Sequence, residues 1–318
     1  MDHWLHQGLI ESTRVPNSHY ATATTRSGEE LPVIEVGALP DLIQIVGYLK
    51  SQFNGHVYLR GQQTLYNSVV TPSLFRSRRK IERAASSFGG LLAGTGSWTC
   101  RHPHHAALDC PEELAQSTGW LPQGIHRYAV EGLLQHYGVD TRYIDVVDNI
   151  WVALWFATHR IIVEHEYAHV VRENRIDHAV TVSEDSEAGT VSIGPTRVYL
   201  LVVSVPGMPK EPNRGLLRFP DARVLDLRRA LPSYFLRPHS QHGLVIRPAD
   251  DAPEHLRYTA LSLRLADALD WLGEGLALST FAVFPPPTVD LGYRRLLHHI
   301  DRAPREFRGQ LTLYGGGY

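Results

Sequence analysis

The stretch HVYLRGQQ, residues 56–63, carries an apolar alternation straight into Arg60 and Gly61. A cation at a strand end is ordinarily moved to solvent, and glycine weakens a strand unless something approaches its backbone. Two readings follow. Either Arg60 is solvated and Gly61 begins a turn, or the pair is an anion clamp. In the second case the planar guanidinium fork suits phosphate or ribose oxygens, and the bare glycine lets a flat ligand lie against the chain. A second group stands in EGLLQHYGVDTRYIDVV, residues 131–147. Gln135 and His136 end an amphipathic helix, and Thr141, Arg142 and Asp145 occupy the turn after it. The plain alternative is capping, with His136 at a negative helix C-terminus, Asp145 at the next N-terminus and Arg142 paired to it.

Arg237, Gln241, His242 and Gly243 form a third group just before an apolar strand, an arrangement that alone is structural. A fourth runs from Cys100 through His102, His104 and His105 to Cys110. Its residue types suit zinc, but the spacing matches no paired Cys or His pattern, and with 18 histidines in the chain some clustering is chance; no metal is expected. There is no phosphate-binding P-loop, no G-x-G-x-x-G after a strand, no H-E-x-x-H and no G-x-S-x-G elbow. Common nucleotide hydrolases, dinucleotide dehydrogenases, zincins and α/β-hydrolases therefore lose ground.

The elements that must position these groups read as follows. Residues 1–30 are polar and aperiodic, a loose arm. Leu39 to Phe53 has helical spacing in Leu42, Ile45, Val46 and Leu49, with Pro40 and Asp41 at its start. A strand covers His56–Leu59. His126–Tyr137 is a helix with Gly138 as its C-terminal cap. Residues 149–163 form a helix apolar nearly all round, hence central, capped by Asp145 or Asp148. Arg197–Val205, Arg223–Leu227, Leu244–Ile246 and Thr280–Phe284 read as strands, and 261–272 and 289–300 as helices. Residues 76–124 and 164–196 break the pattern and read as two long insertions. Helices early and strands late make the chain α+β, one mixed-sheet domain over 31–305 with a C-terminal tail at 306–318.

The 318 residues are 43% hydrophobic and 20% charged, the balance of a folded domain, and 31 basic against 33 acidic residues point to neither nucleic acid nor membrane. Two cysteines leave no disulfide framework, and with no signal peptide or apolar span the expectation is a cytoplasmic protein with no membrane partner.

Taken together, the three polar groups resemble the FRG family, named for a Phe/Tyr-Arg-Gly motif. Leu59-Arg60-Gly61 matches it with leucine for the aromatic residue. LLQHYGVDTRYIDVVDNIWVALWFA is similar to the family's Gln-His-Tyr-Gly helix end, Thr-Arg turn and Ala-Leu-x-Phe-Ala helix, and Arg237 with Gln241-His242-Gly243 resembles its late Arg and Gln-x-Gly element. Leu59, Asp140 and Val146 depart from the pattern, in positions expected to touch packing rather than the polar groups. The order of the groups is in turn similar, more distantly, to ADP-ribosyltransferases, and implies an ADP-ribosyltransferase-like sheet with NAD as substrate.

In that likeness Arg60 holds the pyrophosphate and Gly61 the nicotinamide face, with Gln62 also among the cofactor-binding residues. Gln135, Thr141 or Arg142 bonds the ribose. Gln241, with His136 or a carboxylate, polarises the reacting groups. The late glutamate of the transferases is missing, which leaves Glu131, Asp145 or an insertion residue to supply the carboxylate. The implied acceptor is a macromolecule, with DNA or RNA favoured over protein by the basic run Arg76, Arg78, Arg79 and Lys80, and the implied role is a bacterial toxin or anti-phage effector. The other reading is a non-catalytic module that binds a nucleotide or a phosphorylated ligand in the same pocket.

Overall fold

The computed structural model describes residues 18–73, 124–164, 167–172, 181–182, 191–192, 196–249, 256–273, 278–298 and 313–314. The first insertion with its basic run and histidine cluster, apart from Gly124, lies outside them.

The chain opens with β1 (His19–Thr24) and β2 (Glu30–Val36), then α1 (Leu39–Gln52), β3 (Val57–Gln62) and the short β4 (Val69–Val70). After the first insertion come α2 (Arg127–His136), β5 (Ile144–Val147), α3 (Ile150–Thr158), β6 (His159–Glu164) and β7 (Tyr167–Arg172), with β8 (Thr181–Val182) and β9 (Val191–Ser192) beyond. The last third holds β10 (Arg197–Ser204), β11 (Lys210–Asn213), β12 (Leu216–Arg218), β13 (Ala222–Asp226), α4 (Leu227–Ala230), α5 (Leu236–Ser240) and β14 (Gly243–Pro248). It continues with β15 (Leu256–Arg257), β16 (Thr259–Arg264), α6 (Leu265–Trp271), α7 (Thr280–Val283), α8 (Leu291–His298) and β17 (Leu313–Tyr314).

Ten strands make one sheet in the order β1-β2-β16-β10-β3-β5-β14-β13-β12-β11, antiparallel except for the β2–β16 pair. The fold is α+β with a large mixed sheet. Alternation along the strands sorts the side chains into two faces. On one face Leu59, Val147, Leu200, Val202, Leu261 and Leu263 pack under α1, α3 and α6. Further along that face Leu225 and Val245 pack under α2, α4 and α8. The opposite face, with Tyr58, Ile144, Val146, Leu201, Val224 and Ile246, closes on loop residues Leu65 and Phe219 and on Val70 of β4. No helix among the described residues is long and apolar enough to cross a membrane.

Several expectations hold. The α1 stripe Leu42, Ile45, Val46 and Leu49 is buried, and Gly138 caps α2 with φ +103° while its N–H bonds the Gln135 carbonyl. Others are corrected. Residues 19–24, read as part of a loose arm, are edge strand β1, paired residue for residue with β2. The strand at 57 does not stop before Arg60 but runs through Gln62, because β10 offers it a full ladder.

The central helix is capped by Asn149, whose Oδ1 accepts from Trp151 N–H and Val152 N–H, rather than by Asp145 or Asp148. It ends at Thr158, because the β-branched run after it pairs with β7. Residues 259–264 are strand, so the expected helix at 261–272 begins only at Leu265. Thr280–Val283 is a short helix capped by the Ser279 hydroxyl, where a strand was expected.

Gly61 answers the question raised by its place in a strand. A Cβ there would stand 1.9 Å from the Ala153 carbonyl oxygen and 2.6 Å from the Ala157 nitrogen. The missing side chain is thus taken up by the backbone of α3, which lies directly on β3. Gly61→Ala must push the helix off the sheet, and overpacking of this kind costs about 3 kcal/mol. Its denaturation midpoint is expected to fall accordingly; a variant as stable as the parent in urea would contradict this account of the contact.

Candidate functional site

Strands β3 and β5 are neighbours in the sheet, yet their ladder consists of one pair, Leu59 with Val147. Continued in that register, Gly61 would face Asp145; instead the strands part. The gap opens a cleft of about 280 Å³ lined by Arg60, Gly61, Gln135, His136, Asp145 and Gln241, with an apolar side that includes Phe156 and Phe284. The cleft lies where the core under α3 meets the core under α2. The C-terminal turn of α2 therefore delivers Gln135 and His136, and α3 delivers Phe156.

Arg60 reaches across the gap and donates from Nη1 to the Asp145 carbonyl at 2.8 Å, a side chain in place of the missing ladder bond. The Asp145 carboxylate is held from α2. Gln135 Nε2 donates to its Oδ2 at 2.6 Å, and His136 Nδ1 stands 3.7 Å from its Oδ1, an ion-pair separation too long for a hydrogen bond. Asp145 Oδ1 and His136 Nε2 are buried without a hydrogen-bond partner among the described residues. The Asp145 side chain as a whole is nevertheless 42% exposed, while that of His136 is 4% exposed. Burial pushes the Asp145 carboxyl up, but His136, the Arg60 guanidinium and the Gln135 amide together hold it below the usual carboxylate range. It is an anion at neutral pH.

Behind Gln135 stands Thr141, whose hydroxyl donates to Gln135 Oε1 at 2.6 Å. Gln241 is fixed by its amide, which donates to the Val283 carbonyl at 2.9 Å. Gly243 leaves room for the His136 ring, since a Cβ on it would lie 2.8 Å from Cε1.

Not every residue singled out in the sequence reaches the cleft. Arg142 does not line it and does not pair with Asp145; its guanidinium grips Glu131, at 2.7 Å from Nη2 to Oε2, and its own N–H donates to Oε1. Glu131, the other carboxylate considered, is buried in that pair. Burial pushes its carboxyl up, and the Arg142 charge and hydrogen bonds, with Arg247, more than offset this and hold it low. Gln62 pairs with Tyr199 in the ladder and does not line the cleft. Thr141 is fully buried behind it.

His242 sits apart, near Asp148, Arg228 and Asn149. Arg237 is fully buried, its guanidinium carbon 4.4 Å from the Tyr137 ring centre and 4.5 Å from that of Tyr293. Leu59, Asp140 and Val146, expected to touch packing and turn rigidity rather than the polar groups, line the same cleft as those groups. Ser73, Phe156 and Phe284 were missed: Phe156 lies within the apolar central helix, Phe284 ends what read as a strand, and Ser73 precedes a segment without periodicity. Among the described residues no group of three or more His, Cys, Asp or Glu side chains could hold a metal ion.

A mixed sheet with helices on one face and a polar cleft at a split between central strands defines an α+β domain with a ligand-sized site. Residues 55–166 match the family model of the FRG domain, so the chain carries an FRG domain that includes β3, α2, β5 and α3. The matched segment holds Arg60, Gly61, Gln135, His136 and Asp145, whereas Gln241 reaches the cleft from outside it, on the turn into β14. No curated protein and no solved structure matches the chain.

The Glu131–Arg142 pair gives a test of the local electrostatics. Arg142→Met leaves a buried carboxylate unpaired and is expected to cost about 3–5 kcal/mol at neutral pH. The Glu131→Gln/Arg142→Met double variant should recover most of it. Because the folded value of Glu131 is depressed, its contribution is fully present above the ordinary carboxylate range near ~4.3. It is lost as pH falls through the lower folded value. Glu131→Gln should therefore flatten the acid limb of the stability curve; an unchanged acid limb would remove Glu131 from it.

Proposed function

We propose that the chain is an NAD-dependent ADP-ribosyltransferase-like enzyme that modifies a macromolecule. The observation that carries the reading is the convergence on one cleft of an ionised carboxylate, Asp145, with Arg60 and Gln241, beside an apolar wall that includes Phe156 and Phe284. It also supplies a carboxylate where the transferase likeness lacked its late glutamate. Glycosidic C–N cleavage passes through a cationic ribose and asks the protein for orientation and a negative charge, not for a strong base. A carboxyl held below its usual range is suited to that electrostatic role and poorly suited to proton abstraction near neutrality.

In this scheme nicotinamide docks against the aromatic wall, and Arg60 takes a phosphate or ribose oxygen at the mouth. The bond between the nicotinamide ring nitrogen and ribose C1′ breaks, and its electron pair leaves with neutral nicotinamide. Asp145 stabilises the ribosyl cation until a lone pair of the acceptor forms the new bond to C1′ and the acceptor's proton passes to water. Gln241 and His136 flank the reacting centre. Gly61 contributes by bringing α3 and Phe156 close rather than by offering its own face. The acceptor is DNA or RNA in preference to protein, a choice that rests on the basic run at 76–80.

The test is nicotinamide release from NAD, followed by mass spectrometry with DNA, RNA or cell lysate present. The parent chain releases nicotinamide and a mass-shifted component identifies the acceptor. Asp145→Asn, nearly isosteric, should lower kcat by about 10²–10³-fold, and Arg60→Ala should raise KM. Stabilisation by NAD without release under any condition would make the cleft a nucleotide-binding module instead.

A further inference from the structure

The sequence likeness assigns Gln135 and Thr141 to the ligand. The geometry points elsewhere: we propose that both are positioning residues, a two-member relay that fixes the orientation and charge of the Asp145 carboxylate. This deepens, and rests on, the transfer reading above.

The argument is an account of protons. Tyr143 N–H donates to Thr141 Oγ1 at 3.0 Å, so the hydroxyl already accepts and its own proton is available elsewhere. It goes to Gln135 Oε1, which has no proton to give. With Oε1 accepting, the Gln135 amide has one orientation, and Nε2 must donate to whatever lies 2.6 Å away, which is Asp145 Oδ2. A flipped amide would set Oε1 against the ionised Asp145 Oδ2, acceptor against acceptor, so with the carboxylate charged the chain has this one direction and ends on an oxygen that accepts. Protonating that oxygen would set one donor against another, which favours the carboxylate.

Thr141 is 0% exposed and lies behind the cleft, so it acts only through its partners. It also donates its N–H to Ser73 Oγ at 3.3 Å, tying a second residue of the cleft wall to the same hub. A valine has the shape of threonine and keeps the N–H bond to Ser73, but loses both hydroxyl bonds. The charged or titratable groups that act on Asp145 besides the relay are His136 from α2 and Arg60 from β3. Arg60 acts through the Asp145 carbonyl and His136 through its ring, neither by way of the Gln135 amide, so their contributions should survive its loss.

The test reads Asp145 directly. Aspartate carboxyl carbons are labelled with ¹³C and titrated by NMR, and the signal absent from Asp145→Asn is assigned to this residue. In Thr141→Val and in Gln135→Leu the Asp145 midpoint should rise by about 0.5–1 unit, and Thr141→Ser should restore it. On NAD, Thr141→Val should lower kcat about tenfold with KM within about twofold, the pattern of a lost transition-state interaction. An unmoved Asp145 midpoint in folded Thr141→Val, or a serine variant no better than valine, would overturn the relay. If Thr141→Val fails to fold, Gln135→Leu decides alone, since its side chain lines the cleft. Should no variant and not the parent turn over NAD while the midpoint still moves as stated, the relay stands and the transfer reading falls by itself.

Discussion

Helix α3 rests on strand β3 at a separation that only glycine allows, and much of the site follows from it. With the Ala153 carbonyl where the Gly61 side chain would be, the helix lies flush against the sheet and its Trp155 and Leu154 are completely buried. That contact sets Phe156 at the cleft. It also leaves β3 committed to β10 on one side and to α3 above, so its other edge touches β5 through a single pair. A tenfold sheet would otherwise be closed at its middle. Here it is open at one place, and polar groups can enter it.

Two of the three carboxylates of the 131–145 segment, Glu131 and Asp145, show how burial sorts function from structure. Glu131 and Arg142 meet in a nearly dry pair, and neither lines the cleft. Asp145 is held by one amide and a more distant imidazole and keeps a part-exposed side chain. Buried ion pairs seldom stabilise a fold much beyond an apolar replacement, but they are costly to break. The first arrangement fixes the turn after α2; the second keeps an anion in a cleft.

Arg237 is a third outcome. Its cation is enclosed by Tyr137, Tyr293 and Phe284, and Asp290 accepts from its backbone N–H and from the Tyr137 hydroxyl. This cluster ties α5 to α8 and supports the turn that carries Gln241. An arginine that in sequence stands beside the candidate site thus belongs to the core, because aromatic faces can solvate a guanidinium in place of water.

The sequence by itself determined what depends on neighbours along the chain. The α1 and α2 stripes, the Gly138 cap and the β10, β13 and β14 strands follow from local periodicity and glycine conformation, which need no distant partner. It also marked Arg60, Gln135, His136, Asp145 and Gln241 as polar groups beside buried elements, and these five meet at one cleft. Tertiary structure decided which polar group takes which partner. Arg142 chose Glu131 one helix back rather than Asp145, and the residues at 280–283 became a helical turn, because long-range packing outweighs weak local preference. The purpose of Gly61 was equally hidden, since a glycine reads the same whether a ligand or a helix fills the space its side chain vacates.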